Sequence, residues 1–174
     1  MAATDPCVAI LMGSDSDLPV MAEAVKVLRK LDLAHEVHVT SAHRSPERTL
    51  EILRSAPRRG VRVFIVGAGG AAHLAGVAAA HTLLPVLGVP LATSDLNGLD
   101  ALLATVQMPA GIPVGTLAIG EAGAANAAWL AASILALSDA RLAGRLRDAR
   151  RDMAEKVERG NEAAQKQIAA LLGE

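Results

Sequence analysis

The 174-residue chain has no Tyr, one Trp and one Phe. So few rings leave no platform on which successive bases could stack, which argues against a single-stranded nucleic-acid binder. A net charge of −1 also withholds the basic surface that a polyanion partner needs. The only cysteine, Cys7, cannot close an internal disulfide. It sits in an apolar run and reads as a small buried hydrophobe. The N-terminal "MAATDPC" has no basic region followed by an apolar one, so a secretion signal is not expected and a reducing cytoplasm is. Metal ligation has little support, because no two histidines fall at i, i+4 and no second Cys exists. Long apolar runs are scarce too. The uncharged "AGAANAAWLAASILALS" at 122–138 is mostly Ala, contains Asn126 and falls short of the roughly 20 apolar residues that span a bilayer. It reads as a helix apolar on every face and buried in protein, with no membrane involved.

Charge is missing in a particular place. From Val63 to Leu137 only Asp95, Asp100 and Glu121 are charged, whereas Asp139 to Glu174 carries eight Lys or Arg and seven Asp or Glu. A segment so poor in charge cannot supply much wet surface. Either it forms the central layer of the fold or other subunits cover part of it. A mean hydropathy of +0.35 favours an oligomer. The charged tail reads as a solvated amphipathic helix, broken near Gly160. The length suits one domain over 1–174, with a core at about 7–137 and a charged helical extension at about 139–174.

What is present alternates between two periodicities. "CVAILM" (7–12) is a continuous apolar run, as expected of a strand buried on both faces. A helix follows from near Pro19, with Met21, Val25, Leu28 and Leu31 as its apolar stripe. "HEVHVT" (35–40) reads as a second strand with Val37 and Val39 on one face. Ser45 as N-cap and Pro46 as first helical residue open a helix to about Ser55. "VRVFIV" (61–66), "LPVLGVP" (84–90) and "VGTLAI" (114–119) give three more strands, separated by a small-residue helix after "GAGGAAH" and a helix at 98–107, and followed by the Ala-rich helix. This order predicts βαβ units, a five-stranded parallel sheet and a three-layer α/β sandwich, with further helices at the C-terminus.

In such sheets ligands bind beyond the carboxyl ends of the strands. The polar and glycine-rich turns fall there: "GSDSD", "SAHRS" and "GAGGAAH". Gly13 and its serines serve equally well as a plain strand-to-helix turn with an N-cap. "GAGG" is not a G-x-G-x-x-G, since its glycines fall at 67, 69, 70 and then 76, and it lacks a P-loop ending. A helix N-terminus of small residues nevertheless suits an anion. His35, His38 and His81 read as surface residues of strands or helices. His43 and His73 lie in turns that should share one cleft.

Together "VAILMGSDSD", "SAHRSPE", "GAGGAAHLAG", "LLPVLGVP" and "VQMPAGIPVGTLAIGEAGAANAA" resemble the class I PurE family, the N5-carboxyaminoimidazole ribonucleotide mutases of de novo purine synthesis. The likeness runs from about Val8 to Leu137 with its motifs in family order. The related class II enzymes, which carboxylate aminoimidazole ribonucleotide with CO2, share the first two motifs but differ in the turn after the third strand. Two departures stand out: Ala75 where the family usually has Pro, and Ala101 where Ser is common. Neither position offers a catalytic group, so they bear on local packing.

The resemblance implies a flavodoxin-like fold, a small imidazole ribonucleotide as substrate, a cytoplasmic homo-octamer, and no metal, nucleotide cofactor or covalent intermediate. Ser14, Asp17 and Arg44 match the family's substrate-binding positions, and His43 its catalytic histidine. Ser16, Ser41 and the backbone of Gly69, Gly70 and Ala71 are expected to complete the pocket, with Ala72 beside them and His73 shaping it. The chemistry agrees: serine hydroxyls and a bidentate arginine suit a phosphate, and a carboxylate can accept from ribose hydroxyls. Histidine is the side-chain type suited to giving and retaking a proton near neutral pH. Two other functions use the same residues: a CO2-dependent carboxylase, and a non-catalytic module that binds a phosphorylated metabolite. The latter has no use for His43.

Overall fold

The computed structural model describes residues 6–172, so the expectation for the first five residues lies outside them. Two compact units meet in sequence between Leu135 and Ala136, so the last residue of the helix that ends the first unit already counts in the second. The first contains β1 (Val8–Met12), α1 (Leu18–Lys30), β2 (His35–Val39), α2 (Pro46–Ser55), β3 (Val63–Gly69), α3 (Leu74–His81), β4 (Val86–Leu91), α4 (Leu99–Val106), β5 (Gly115–Thr116) and α5 (Glu121–Ala136). All strand pairs are parallel, in the order β2-β1-β3-β4-β5. This is the doubly wound order of flavodoxin-like folds, as the alternating pattern predicts.

The sheet is built from residues that need burial on both faces. All five side chains of β1 are fully buried, and Phe64 and Ile65 of β3 likewise. Strand pleating sends alternate residues to opposite sides. Leu11, Phe64, Val66 and Val86 share one core with Ile52 and Leu53 of α2, Leu74 and Ala78 of α3, and Ala101 of α4. On the other side Met21 of α1 packs over Gly67, where a Cβ would meet its sulfur at 2.4 Å. Ala75 and Ala101 are both buried, so the two departures from the family pattern are packing positions.

Several boundaries and environments differ from expectation. β3 continues to Gly69, so three residues of the expected glycine turn are strand, paired with Val89 to Leu91 and ending at Gly69↔Leu91. β5 shrinks to two residues, because as an edge it pairs with β4 only at Leu87 and Gly88. Cys7 is half-buried and precedes β1, with its thiol donating to Ala34 O at 3.3 Å. Val37 and Val39 lie on an edge strand and stay 40% and 45% exposed. His38 faces Glu36 at 3.2 Å, and Arg59 donates to the same carboxylate from Nε at 2.9 Å. Burial pushes the Glu36 carboxyl up, but the bonds from Arg59 and His38 outweigh it and hold it below the ordinary range.

α5 is not apolar and buried all round. Ala124, Ala127, Ala128, Ala131, Ala132 and Leu135 form one buried face, while Ala122, Asn126, Leu130 and Ser133 are exposed. The second unit holds α6 (Ala140–Leu172), one helix of 33 residues that runs through Gly160 without a break. A glycine inside a helix costs only about 1 kcal/mol, too little to end one with good formers on both sides. No helix among the described residues is long and apolar enough to cross a membrane.

Phe64 is the chain's only Phe and is 0% exposed between Ala9 and Val86 on neighbouring strands. Phe64→Ala is expected to destabilise the fold by about 3–5 kcal/mol, read as a lowered denaturant midpoint with little change in slope.

Candidate active site

Turns at the carboxyl ends of β1, β2, β3 and β4 surround one cleft of about 330 Å³. Its position follows from the winding. The connection after β1 leads to β2 on one side, and that after β3 leads to β4 on the other, so the two turns part and leave a crevice between them. Ser14, Ser16, Asp17, Ser41, His43, Arg44, Gly69 and Ala71 all line it, as expected.

After β1 the chain closes a small polar ring. The Ser14 amide donates to Asp17 Oδ2 at 3.0 Å, and the Ser16 amide donates to Ser14 Oγ at 3.3 Å. This is a capping box, with donors that would otherwise be left unpaired at the start of the short helical turn before α1. Asp17 is buried, and that burial pushes its carboxyl above the ordinary range against the lowering effect of the Ser14 and Gly13 amides. The plain structural reading of this turn is therefore correct, and the same atoms also form the cleft wall.

After β2 the serines hold the turn while its charged side chains stay outside. Ser45 Oγ accepts from the Ser41 amide at 3.0 Å and donates to Ser41 O at 3.2 Å. Ser45 holds the N-cap position of α2 with Pro46 after it, as expected, but its hydroxyl is committed to Ser41 and makes no side-chain cap bond. Ser41 Oγ accepts from the Arg44 amide at 3.1 Å. The Arg44 guanidinium reaches across to Gly13 O, 3.2 Å from Nη2, which ties the β2 turn to the β1 turn. Five N–H donors on a planar fork leave several for an anion.

After β3 the chain turns sharply at Gly70, whose φ of +58° is a left-handed conformation that favours glycine. The amides of Ala72 and His73 are already bonded to the carbonyls of Gly70 and Ala71, each at 2.8 Å, so they are not open anion donors. Gly70 does not line the cleft, and Ala72 is buried in the core rather than facing it. His73 does not line it either, but its Nδ1 lies 2.9 Å from Nε2 of His43. The rings meet edge to face, at 82° and with centroids 5.0 Å apart. One of the two nitrogens must carry the proton of that bond. Among the described residues no group of His, Cys, Asp and Glu could hold a metal ion.

Sequence reasoning missed Thr93 and Leu74, which also face the cleft. The signal was available: the rule that sites lie beyond strand ends applies to "LATSD" after the fourth strand as much as to the first three.

With this geometry in place, similarity to known proteins carries the assignment. The AIR carboxylase family model matches residues 7–156. The chain is 51% identical to the N5-carboxyaminoimidazole ribonucleotide mutase of Pyrococcus horikoshii, over 91% of this chain and 88% of that one. It is 54% identical to the Escherichia coli protein of the same name, over 86% and 89%. A crystal structure of Treponema denticola PurE superposes with a TM-score of 0.81 at 26% identity, covering 91% of this chain and 98% of that one. The chain thus belongs to the AIR carboxylase family.

Proposed function

We propose that this protein is an N5-carboxyaminoimidazole ribonucleotide mutase, an isomerase that moves a carboxylate from the exocyclic nitrogen of an imidazole ribonucleotide to ring carbon C4 in purine synthesis. The observation that supports it most is the meeting of His43, Arg44 and the Ser14–Asp17 turn on one cleft, in a chain 51% and 54% identical to relatives that carry this name. Arg44 with Ser14 and Ser16 takes the 5′-phosphate, and Asp17 accepts from the ribose hydroxyls. Ser41 supports Arg44 from behind through the amide bond described above.

His43 moves the proton. Its imidazolium gives a proton to N5 as the N–C bond breaks, releasing CO2 and an amine. C4 then attacks the CO2, a C–C bond forms, and the electron pair returns to the oxygen as a carboxylate. Neutral His43 removes the C4 proton, and the ring regains aromaticity with the histidine as it began. His73 holds His43 in orientation through the 2.9 Å bond. Protonation, CO2 capture and proton removal balance without a metal or a nucleotide cofactor.

CO2 stays only in a closed, dry pocket. In the single chain the His43, Arg44 and Thr93 side chains are exposed. Leu96, Leu99, Leu103 and Val106 are also 48–61% exposed, all within the charge-poor segment. Such an apolar surface is what a neighbouring copy would cover. The protein works as a cytoplasmic homo-oligomer, an octamer in the reading drawn from the family resemblance, with the open faces of α4 and α5 turned inward. One domain performs the reaction over 1–174, with the charged helix as its extension.

Turnover of the N5-carboxylated nucleotide without added bicarbonate is the expected result, and a strict requirement for bicarbonate would indicate the CO2-dependent carboxylase instead. His43→Asn should keep its circular dichroism and much of its affinity while losing at least ~10²–10⁴-fold in turnover; a variant within about tenfold of wild type would overturn the assignment of His43. His73→Asn should lose less. Arg44→Ala should weaken nucleotide binding by roughly 1.5–3 kcal/mol in calorimetry, and Arg44→Lys should recover only part of it. Light scattering at micromolar concentration should give a mass several times that of one chain, and a monomer mass would remove the oligomer.

A further inference from the structure

The cleft has one side chain that neither the sequence motifs nor the mechanism above employs. Thr93 follows β4 and folds back: its amide donates to Leu91 O at 3.1 Å, a three-residue turn. Leu91 pairs in register with Gly69. The turn therefore lays the Thr93 side chain directly over Gly69. A Cβ at residue 69 would stand 1.9 Å from Thr93 Oγ1 and 2.7 Å from its methyl group. Gly69 is not among the residues with positive φ, so its backbone does not call for glycine. What calls for it is the space taken by Thr93.

The hydroxyl held there has no hydrogen-bond partner among the described residues, and it lines the cleft. Among the lining residues that follow β3 or β4 it is the only hydrogen-bonding side chain. The other lining residues that follow β3 or belong to its end are Ala68, Gly69, Ala71 and Leu74. Strand spacing sets the distance. Arg44 and the two serines stand over β2 and β1, and β4 lies two strands beyond β1, about 10 Å across the sheet. A nucleotide with its phosphate over β1 and β2 brings its heterocycle to Thr93.

We propose that the Thr93 hydroxyl binds the ring end of the substrate and donates a hydrogen bond to the carboxylate that leaves N5 and is recaptured at C4. This rests on the mutase reading and adds a specificity group to it. Leu74 and Ala71 give that end an apolar wall, so one directed donor decides where the carboxylate, and then the CO2, sits. Displacing it lets CO2 escape before C4 attacks.

Two variants separate this from simple packing over Gly69. Thr93→Val keeps the shape and removes the hydroxyl, whereas Thr93→Ser keeps the hydroxyl and removes the methyl group. Both should unfold at the wild-type midpoint. Thr93→Val should lose about tenfold or more in kcat/KM, the lower end of what one hydrogen bond to a charged group carries. It should also release more CO2 and decarboxylated nucleotide per product formed. Thr93→Ser should stay within about threefold on both measures. An active wild type with a Thr93→Val variant within twofold, and no added CO2 release, overturns this inference alone. A wild type that converts no N5-carboxylated nucleotide overturns the mutase reading and this inference with it.

Discussion

A parallel strand cannot return by a hairpin; it must be followed by a crossover, and crossovers in one sheet share a hand. That constraint governs the molecule. It makes β1 and β3 interior strands buried on both faces, which is why their sequences are unbroken apolar runs. It also brings every strand-to-helix turn to one edge of the sheet. The polar residues that the core cannot accept are therefore gathered at a single place by the winding itself. Reversal of direction between β1 and β3 then opens that place into a cleft.

Within the cleft, most polar side chains have a structural bond as well as a free side. Ser41 closes the β2 turn onto the Arg44 amide, Ser45 closes it onto Ser41, and Arg44 spans to Gly13. These bonds limit rotation before any ligand arrives, so less conformational entropy remains to be lost on binding. The histidine pair works the same way. Each ring limits the other, and the proton between them is shared by two turns that come from opposite sides of the crevice.

The strands and the three turns could be read from the sequence because the physics there is local. Buried parallel strands need runs such as "VAILM", and turns into helices need Ser, Asp, Gly and Pro. His43, Arg44, Ser14, Ser16 and Asp17 were identifiable because they sit within such turns. The end of the fourth strand marked "LATSD" as a cleft turn, but what singles out Thr93 within it is its packing over Gly69, 24 positions away in sequence, and no period or motif records that contact. The one-sided burial of α5 escaped for a related reason: alanine is nearly indifferent between faces, so composition could not show which side packs. Gly160 misled because a helix former's summed preference over 33 residues outweighs one glycine.

The Ser14–Asp17 ring has a consequence for how the cleft and the helix behind it communicate. Asp17 occupies the N-cap position of α1 while its carboxylate faces the ligand space. A group that takes a hydrogen bond from this turn competes with the bonds that close the short helical turn ahead of α1, and one that supplies a bond reinforces them. Filling the cleft and melting this short turn are therefore coupled through shared atoms, and each changes the free energy of the other by the same amount. The entrance to the site doubles as a gauge of local folding, and a bound nucleotide would be felt first as a stiffer helix start.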